Sequence, residues 1–587
     1  MESKSLEHVP AGVIDPSLRS ATDSPAARVS AKQALDRIVT EAWEALLDRD
    51  SYLAASIGRK VTHLGRGDLA ASEAAAIDAR ERRDRLDRID LSALDRTDRL
   101  SAAFVRHWLD TEIEEPQRWW TSFPIAPYSG IYLSLLPRLL FPQIDLTDPA
   151  EVKRYLKLVD DFIAVIDTAR QQVEAQAERG WRLPKPALST ARKTLEGNGL
   201  MAVAAIELAD DRPASDATRA AVAAAVEDRL KPAIARLLAT IGADYEAAAP
   251  AAVGMMHQPG GAEAYRLWLR FHLGSDLDPA DIHRIGLDEV ARLAAEMERV
   301  RIDQFHHNGD EASFHEKLQR DPKAKSPSAE ALEATYRRHL DRMEPAFRRM
   351  FRKVPLSKPR VERLPRQLEA GMTFGYYDQP KEVGADGTYF YSGNGIPDRM
   401  QINAGALIFH ELVPGHHVHL SRQQENEALP EIRRKLLISS AFNEGWAEYA
   451  SGLGEEAGLF DDPYDHYGFL AHQRFVAQRL VVDTGLNALG WTLDQAHAYM
   501  SANTLEQPEQ VTSDILRYST DLPGQALCYR WGFLKFRELR ARLEATLGAK
   551  FDLADFHEAI LDQGALPLPI LEQSLTEWAE ERAGAQG

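Results

Sequence analysis

The stretch GTYFYSGNGIPDRMQINAGALIFHELVPGHHVHL, residues 387–420, changes character half-way along, and that change decides how the rest of the chain is read. Its first part is short, rich in Thr, Tyr and Phe, and punctuated by Gly and Pro, as strands and tight turns are. From about Ala404 the apolar residues recur at helical spacing. A similar run, GMTFGYYD at residues 371–378, can pair with residues 387–394. A small sheet at about 354–403 is therefore expected beside the helix that carries His410 and Glu411.

Outward from this stretch helices dominate. Residues 31–53, 94–113, 151–177 and 215–242 carry apolar stripes with charged outer faces. LDPADIHRIGLDEVARLAAEMERV, residues 277–300, opens on Asp278, which can cap free amides, and Pro279, whose missing N–H costs nothing in a first turn. The expected fold class is mainly α: a large helical architecture with a small β-sheet beside the active-site helix and a deep cleft. Residues 1–28, rich in Ser, Pro, Asp and Ala without periodicity, read as a mobile leader. Residues 29–250 read as a helical N-terminal region. Residues 251–587 form the catalytic region, with the sheet at about 354–403 and the site helices at about 404–454.

The chain has 587 residues, 44% hydrophobic and 27% charged, the composition of an ordinary globular protein. Seventy Lys and Arg stand against 89 Asp and Glu, a net charge of −19, which disfavours nucleic acid and anionic membrane surfaces as partners. The lone cysteine, Cys528, forms no intramolecular disulfide and fits a reducing compartment. No basic segment followed by an apolar core opens the chain, and no apolar run reaches the roughly 18 residues that a bilayer demands. A cytoplasmic location and no membrane partner are expected. The oligomeric state is left open.

The chemistry lies in HELVPGHHVHL, residues 410–420. A His-Glu pair on a helix is how zinc hydrolases set an imidazole ligand beside a carboxylate that activates water. The usual second histidine, four positions on, is replaced by Pro414. On a straight helix a residue six positions on points about 120° away, and one seven positions on lies about 10.5 Å further along. Neither His416 nor His417 could then share an ion with His410. Pro414 and Gly415 are the pair best able to deform the helix, and a bulge there would return His416 to the metal. His416 is favoured over His417, which stays open as the alternative. In SAFNEGWAEYASG, residues 439–452, Glu444 lies among apolar positions where a carboxylate is costly unless it binds metal, and it is the third ligand. Glu448, one turn on, can hydrogen-bond a ligating imidazole. Two histidines and one glutamate leave a fourth position for water, the pattern of a catalytic zinc (Zn2+) site.

HELVPGHH, followed by NEGWAEY, RLVVDTGLNALGW and ILRYSTDLPGQALCYRWG and preceded by GGAEAYRLWLR, resembles a bacterial family catalogued as a domain of unknown function with a His-Glu-x-x-Pro-Gly-His-His signature. That family is itself similar to the gluzincins, the thermolysin-like zinc metallopeptidases. The motifs run from about residue 260 to 532. The resemblance implies that His410, His416 and Glu444 bind zinc and that Glu411 is the general base. Dipeptidyl peptidase III, in the wider group, tolerates an inserted residue between its histidines; here the departure is a two-residue Pro-Gly insertion. The activity implied is hydrolysis of short peptides, with long helices excluding folded proteins.

In that chemistry Glu411 takes a proton from water polarised by the ion and returns it to the leaving amine. Tyr518 or Tyr529, with Arg517 or Arg530 nearby, would donate to the developing oxyanion. Residues 387–394 would offer a strand edge to an extended peptide. Trp119, Trp120, Phe123 and Tyr128 would line a substrate wall, and Arg479 and Asp483 would form a buried ion pair. The same metal and base serve a non-peptide amide or peptide-like natural product equally well. A di-iron oxygenase would need paired Glu-x-x-His motifs, which the chain lacks. A non-catalytic scaffold is disfavoured by the presence of Glu411.

Overall fold

Aspartates mark where the long helices begin. Asp95, Asp148 and Asp278 accept hydrogen bonds from the free amides of Asp98, Ala150 and Ala280, and so open α2 (Arg96–Thr121), α3 (Pro149–Glu178) and α4 (Pro279–Asp303). The computed structural model describes residues 25–128, 132–369 and 375–584. Its first helix, α1 (Pro25–Arg49), takes in residues 25–28 of the expected leader, whose remainder lies outside the described residues. The single helix read over 31–53 is two, because Asp50 ends the first and caps a short second, Ser51–Ser56, by accepting from the Leu53 amide. The helix read over 215–242 is capped by Ser215 and loosens into a wider turn at Val226–Leu230, where Pro232 can donate no backbone bond to the turn before it.

After α5 (Ala329–Met350) come three strands: β1 (Pro359–Arg363), β2 (Gly375–Asp378) and β3 (Gly387–Tyr391). Their order is β1-β3-β2. β3 pairs antiparallel with β2, Tyr376 opposite Phe390, as the two aromatic runs led one to expect; the first four residues of GMTFGYYD lie outside the described residues. β3 also pairs parallel with β1, Val361 opposite Tyr389. It is therefore the central strand, and the expected free edge at 387–394 is corrected: both its sides are taken. Tyr389 and Tyr391 point inward, fully buried against Tyr336 of α5.

Beyond the sheet all is helix and loop: α6 (Ala404–Glu411), α7 (His416–Glu425), α8 (Ser440–Glu456), α9 (Pro463–Asn487), α10 (Pro508–Leu516) and α11 (Leu527–Leu547). One apolar core draws on both sides of residue 250, from Leu35 and Trp43 to Leu571 and Leu575. A smaller cluster around Phe475, Leu486, Met500, Ile515 and Tyr518 joins α9 to α10. α9 packs along α4, and α8 along α11. The second pair meets backbone to backbone: a Cβ on Gly445 would lie 2.4 Å from the Gly532 Cα. That approach explains the glycines in both NEGWAEY and CYRWG, and it sets the depth at which Glu444 and Glu448 sit.

Candidate metal centre

The site is built on a break in the helix. Pro414 has no N–H to offer the His410 carbonyl four residues back, and α6 stops at Glu411. Leu412 leaves helical torsions, the Val413–Pro414 bond is cis, and α7 restarts at His416. The expected bulge in one helix is thus a full interruption between two. The chain folds back over the end of α6 so tightly that a Cβ on Gly415 would lie 1.8 Å from the His410 carbonyl oxygen.

The fold-back brings His416 to His410, their rings 4.7 Å apart and nearly perpendicular. Both Nε2 atoms face one oxygen of Glu444: His410 at 3.5 Å and His416 at 3.4 Å from Oε2. His417 points elsewhere. Its two ring nitrogens lie 3.0 Å from the Tyr377 hydroxyl and 3.0 Å from the Ser357 carbonyl, fastening α7 to the sheet.

Behind the ligating nitrogens a second layer fixes the rings. His410 Nδ1 lies 3.0 Å from Glu448 Oε1, and His416 Nδ1 lies 3.1 Å from Nε2 of the buried His419. His416 Nδ1 is engaged by His419, His410 Nδ1 stands against Glu448 without a hydrogen bond of good geometry, and each Nε2 faces Glu444. Glu448, fully buried, also receives His472 Nε2 at 3.0 Å and the Gln473 amide at 2.9 Å. Gln473 is steadied by Arg530, which donates to its oxygen at 2.6 Å and pairs with Glu289 of α4. His472 and Gln473 sit side by side in AHQRF, on a helix three elements on from the histidine motif, and no spacing links them to it.

Two groups of side chains are close enough to hold an ion, and they share His410: His410, His416 and Glu444, or His410, Glu448 and His472. Their carboxylates decide between them. Glu448 is met by three nitrogens. Glu444 Oε2 is buried and makes no hydrogen bond. A buried carboxylate oxygen without a donor is expensive, and a cation is its natural partner. Ligand atoms about 2.1 Å from a tetrahedral ion stand about 3.4 Å from one another, which is the spacing found around Glu444 Oε2. The residues present fit a divalent ion with one carboxylate and two imidazole ligands.

The electrostatics agree. Burial opposes charge on His410, but the Glu444, Glu448 and Glu411 carboxylates around it outweigh that and raise its pKa to about 10. Burial likewise opposes charge on Glu444 and Glu448, and the imidazoles hold both well below the usual carboxylate range. Glu411 differs: burial raises its pKa, the neighbouring imidazoles only partly offset that, and among the described residues it makes no hydrogen bond.

Tyr529 lies beside the ligands, its ring parallel to His410 at 6.1 Å, and burial keeps its hydroxyl protonated. Tyr518 is buried in the smaller apolar group, its hydroxyl beside the Asp514 carboxylate. Arg517 pairs with Asp514 at 3.6 Å, and Arg530 braces Gln473, so neither stands over the ligands. Arg479 and Asp483 are not a pair. Asp483 receives the Tyr265 hydroxyl and the Gly524 and Asn487 nitrogens, while Arg479 lies on the ring of Tyr529. The aromatic residues near 119–128, expected along a substrate wall, make these contacts. Trp119 donates to the Gly67 carbonyl, Trp120 carries Arg179 on its face, Phe123 packs on Trp181, and the Tyr128 amide bonds to Asp521. A pocket does open next to the cluster, lined by Arg399, Asn403, His472, Phe475, Leu505 and Glu506.

The family model for bacterial proteins of unknown function termed DUF885 matches residues 52–575. The chain belongs to the DUF885 family. Two solved structures resemble this DUF885 protein over nearly its whole length. One is described as the "putative lipoprotein from Colwellia psychrerythraea", 26% identical, with a TM-score of 0.82 over 94% of this chain and 99% of that one. The other is a "putative lipoprotein of unknown function from Shewanella oneidensis", 16% identical, with a TM-score of 0.73 over 93% and 99%. No curated protein matches the DUF885 chain. The expectation of a cytoplasmic protein does not survive this comparison, since both relatives are described as lipoproteins. Its basis was weak, because a single buried cysteine is compatible with either side of a membrane. Among the described residues no helix is long and apolar enough to cross a membrane.

Proposed function

We propose that this DUF885 protein is a zinc-dependent metallopeptidase of the gluzincin kind, hydrolysing short peptides with His410, His416 and Glu444 as metal ligands and Glu411 as general base. The observation that carries the reading is the unpartnered Glu444 Oε2, held between two Nε2 atoms at ligand spacing. Bound there, zinc would polarise a carbonyl and acidify water. Glu411 follows His410 directly, and a raised pKa suits a carboxylate that accepts a proton and hands it on to a leaving amine. Glu448 and His419 keep the two imidazoles in the tautomer that presents Nε2. Tyr529 offers a protonated hydroxyl beside His410 to the developing oxyanion.

The test is elemental analysis of purified wild type, His416→Ala and Glu411→Gln, each assayed on a mixed peptide library with and without a chelator. About one zinc per chain is expected in wild type and Glu411→Gln and none in His416→Ala. Chelator-sensitive cleavage is expected in wild type, reduced about 1,000-fold in Glu411→Gln. A wild type without zinc, or cleavage that a chelator leaves untouched, would overturn the reading.

A further inference from the structure

Arg479 sits on α9 one turn beyond Phe475, which lines the pocket next to the ligands. Its guanidinium lies 4.7 Å from the centre of the Phe475 ring and 4.4 Å from that of Tyr529, the ring that runs parallel to His410. Two buried arginines near the site have carboxylate partners: Arg474 has Glu311, and Arg530 has Glu289. Among the described residues Arg479 has none, and its Nε is buried without a hydrogen bond. The carboxylates whose charge bears on it are Asp514, Glu448 and the pocket's Glu506, none of them within ion-pair reach. Asp514 lies beyond ion-pair reach and is paired with Arg517 and bonded by Gln510; Glu448 is filled by His410, His472 and Gln473. The Tyr518 hydroxyl lies in the same neighbourhood, buried and held protonated, with the Asp514 carboxylate as its nearest acceptor.

A largely buried guanidinium without an anion is costly, and a planar fork of donors matches a carboxylate. We propose that Arg479, with the Tyr518 hydroxyl beside it, receives the free C-terminal carboxylate of the substrate peptide, which makes the enzyme an exopeptidase that works from the C-terminal end. The guanidinium lies 4.4 Å and the His410 ring 6.1 Å from the centre of the Tyr529 ring, so the two are at most about 10.5 Å apart, a span that about three extended residues cover. A carboxylate seated on Arg479 is therefore within a few residues of a carbonyl at the metal. The inference rests on the peptidase reading above and adds the end from which the enzyme works.

The test compares N-acetyl tetrapeptides ending in a free acid or an amide on the zinc-loaded full chain, in wild type, Arg479→Met and Arg479→Lys. Wild type should favour the acid about 100-fold in kcat/KM, the worth of a charged hydrogen-bonded pair. The ratio should fall to about one in Arg479→Met and to an intermediate value in Arg479→Lys, which keeps the charge and loses the fork. The lysine variant carries the test if the methionine variant does not fold. Equal cleavage of acid and amide by wild type, or a preference that survives both substitutions, would overturn the assignment. If zinc-loaded wild type cleaves neither peptide, the peptidase reading falls, and calorimetric binding of the same two peptides decides the receptor separately. Binding of the acid about 100-fold tighter than the amide, lost in Arg479→Met, keeps Arg479 as a carboxylate receptor; equal binding removes it.

Discussion

Glu444 and Glu448 stand one turn apart on the same buried helix and serve opposite ends of one imidazole. Glu448 is hydrogen-bonded by His472 and Gln473 and stands 3.0 Å from His410 Nδ1, whereas Glu444 Oε2 has no hydrogen bond. Replacing Glu448 by Gln should therefore weaken the metal without removing it, because an amide turns an N–H toward at least one of the groups that now donate. Zinc affinity should fall about 10- to 100-fold, read by competition with a chromophoric chelator, while Glu444→Gln should abolish binding. A second buried carboxylate reports on pH. Burial lifts the pKa of Asp483 to about 7, although Tyr265, Gly524 and Asn487 donate to it. The folded protein then keeps a proton that the unfolded chain gives up from about pH 4. The stability tied to that proton is present in full below about pH 4 and is lost as pH rises through 7. Urea midpoints of wild type and Asp483→Asn should therefore diverge between pH 4 and 8 in favour of the asparagine, by on the order of a few kcal/mol. Parallel curves would show that Asp483 is ionised throughout.

At the scale of the element, the break between α6 and α7 makes the site. Gly415→Ala puts a methyl group where the His410 carbonyl already is, so α7 must move and His416 with it. The variant should lose zinc as completely as His416→Ala while keeping its far-UV circular dichroism, because both helices end where they did. Some of this is legible in the sequence and some is not, for definable reasons. Asp278 before Pro279 announces a helix start because the chemistry of a cap is local. Pro414-Gly415 announces a deformation, but its extent depends on how α7 packs against the sheet through His417 and Ser357, residues far apart in sequence. β1 is not legible: PRVER buries only Val361 and reads as a charged loop. His472 and Arg479 are hidden for a different reason. The 25-residue helix that carries them is buried on nearly every face and has no polar stripe to mark which side meets the ligands. Only packing on α4 and α11 orients it.

At the scale of the whole molecule, the ligands join parts of the fold that the apolar core already holds together. His410, His416 and Glu444 come from three helices, and the layer behind them brings in a fourth, α9, which in turn leans on α4 through Gln473, Arg530 and Glu289. An ion at Glu444 binds the folded arrangement alone, since the unfolded chain has no such convergence. Its binding energy thus becomes folding energy. At a free zinc concentration about 1,000 times Kd the gain is about 4 kcal/mol, which for a chain of this length moves the midpoint of thermal unfolding by only about 3 °C. Chelation should therefore lower Tm by a few degrees in wild type and leave it unmoved in His416→Ala, and the metal-free protein should stay helical at room temperature, because its core does not depend on the ion. Collapse of the whole fold on chelation would mean that the metal organises the helices; a Tm shift equally large in His416→Ala would place the ion away from Glu444.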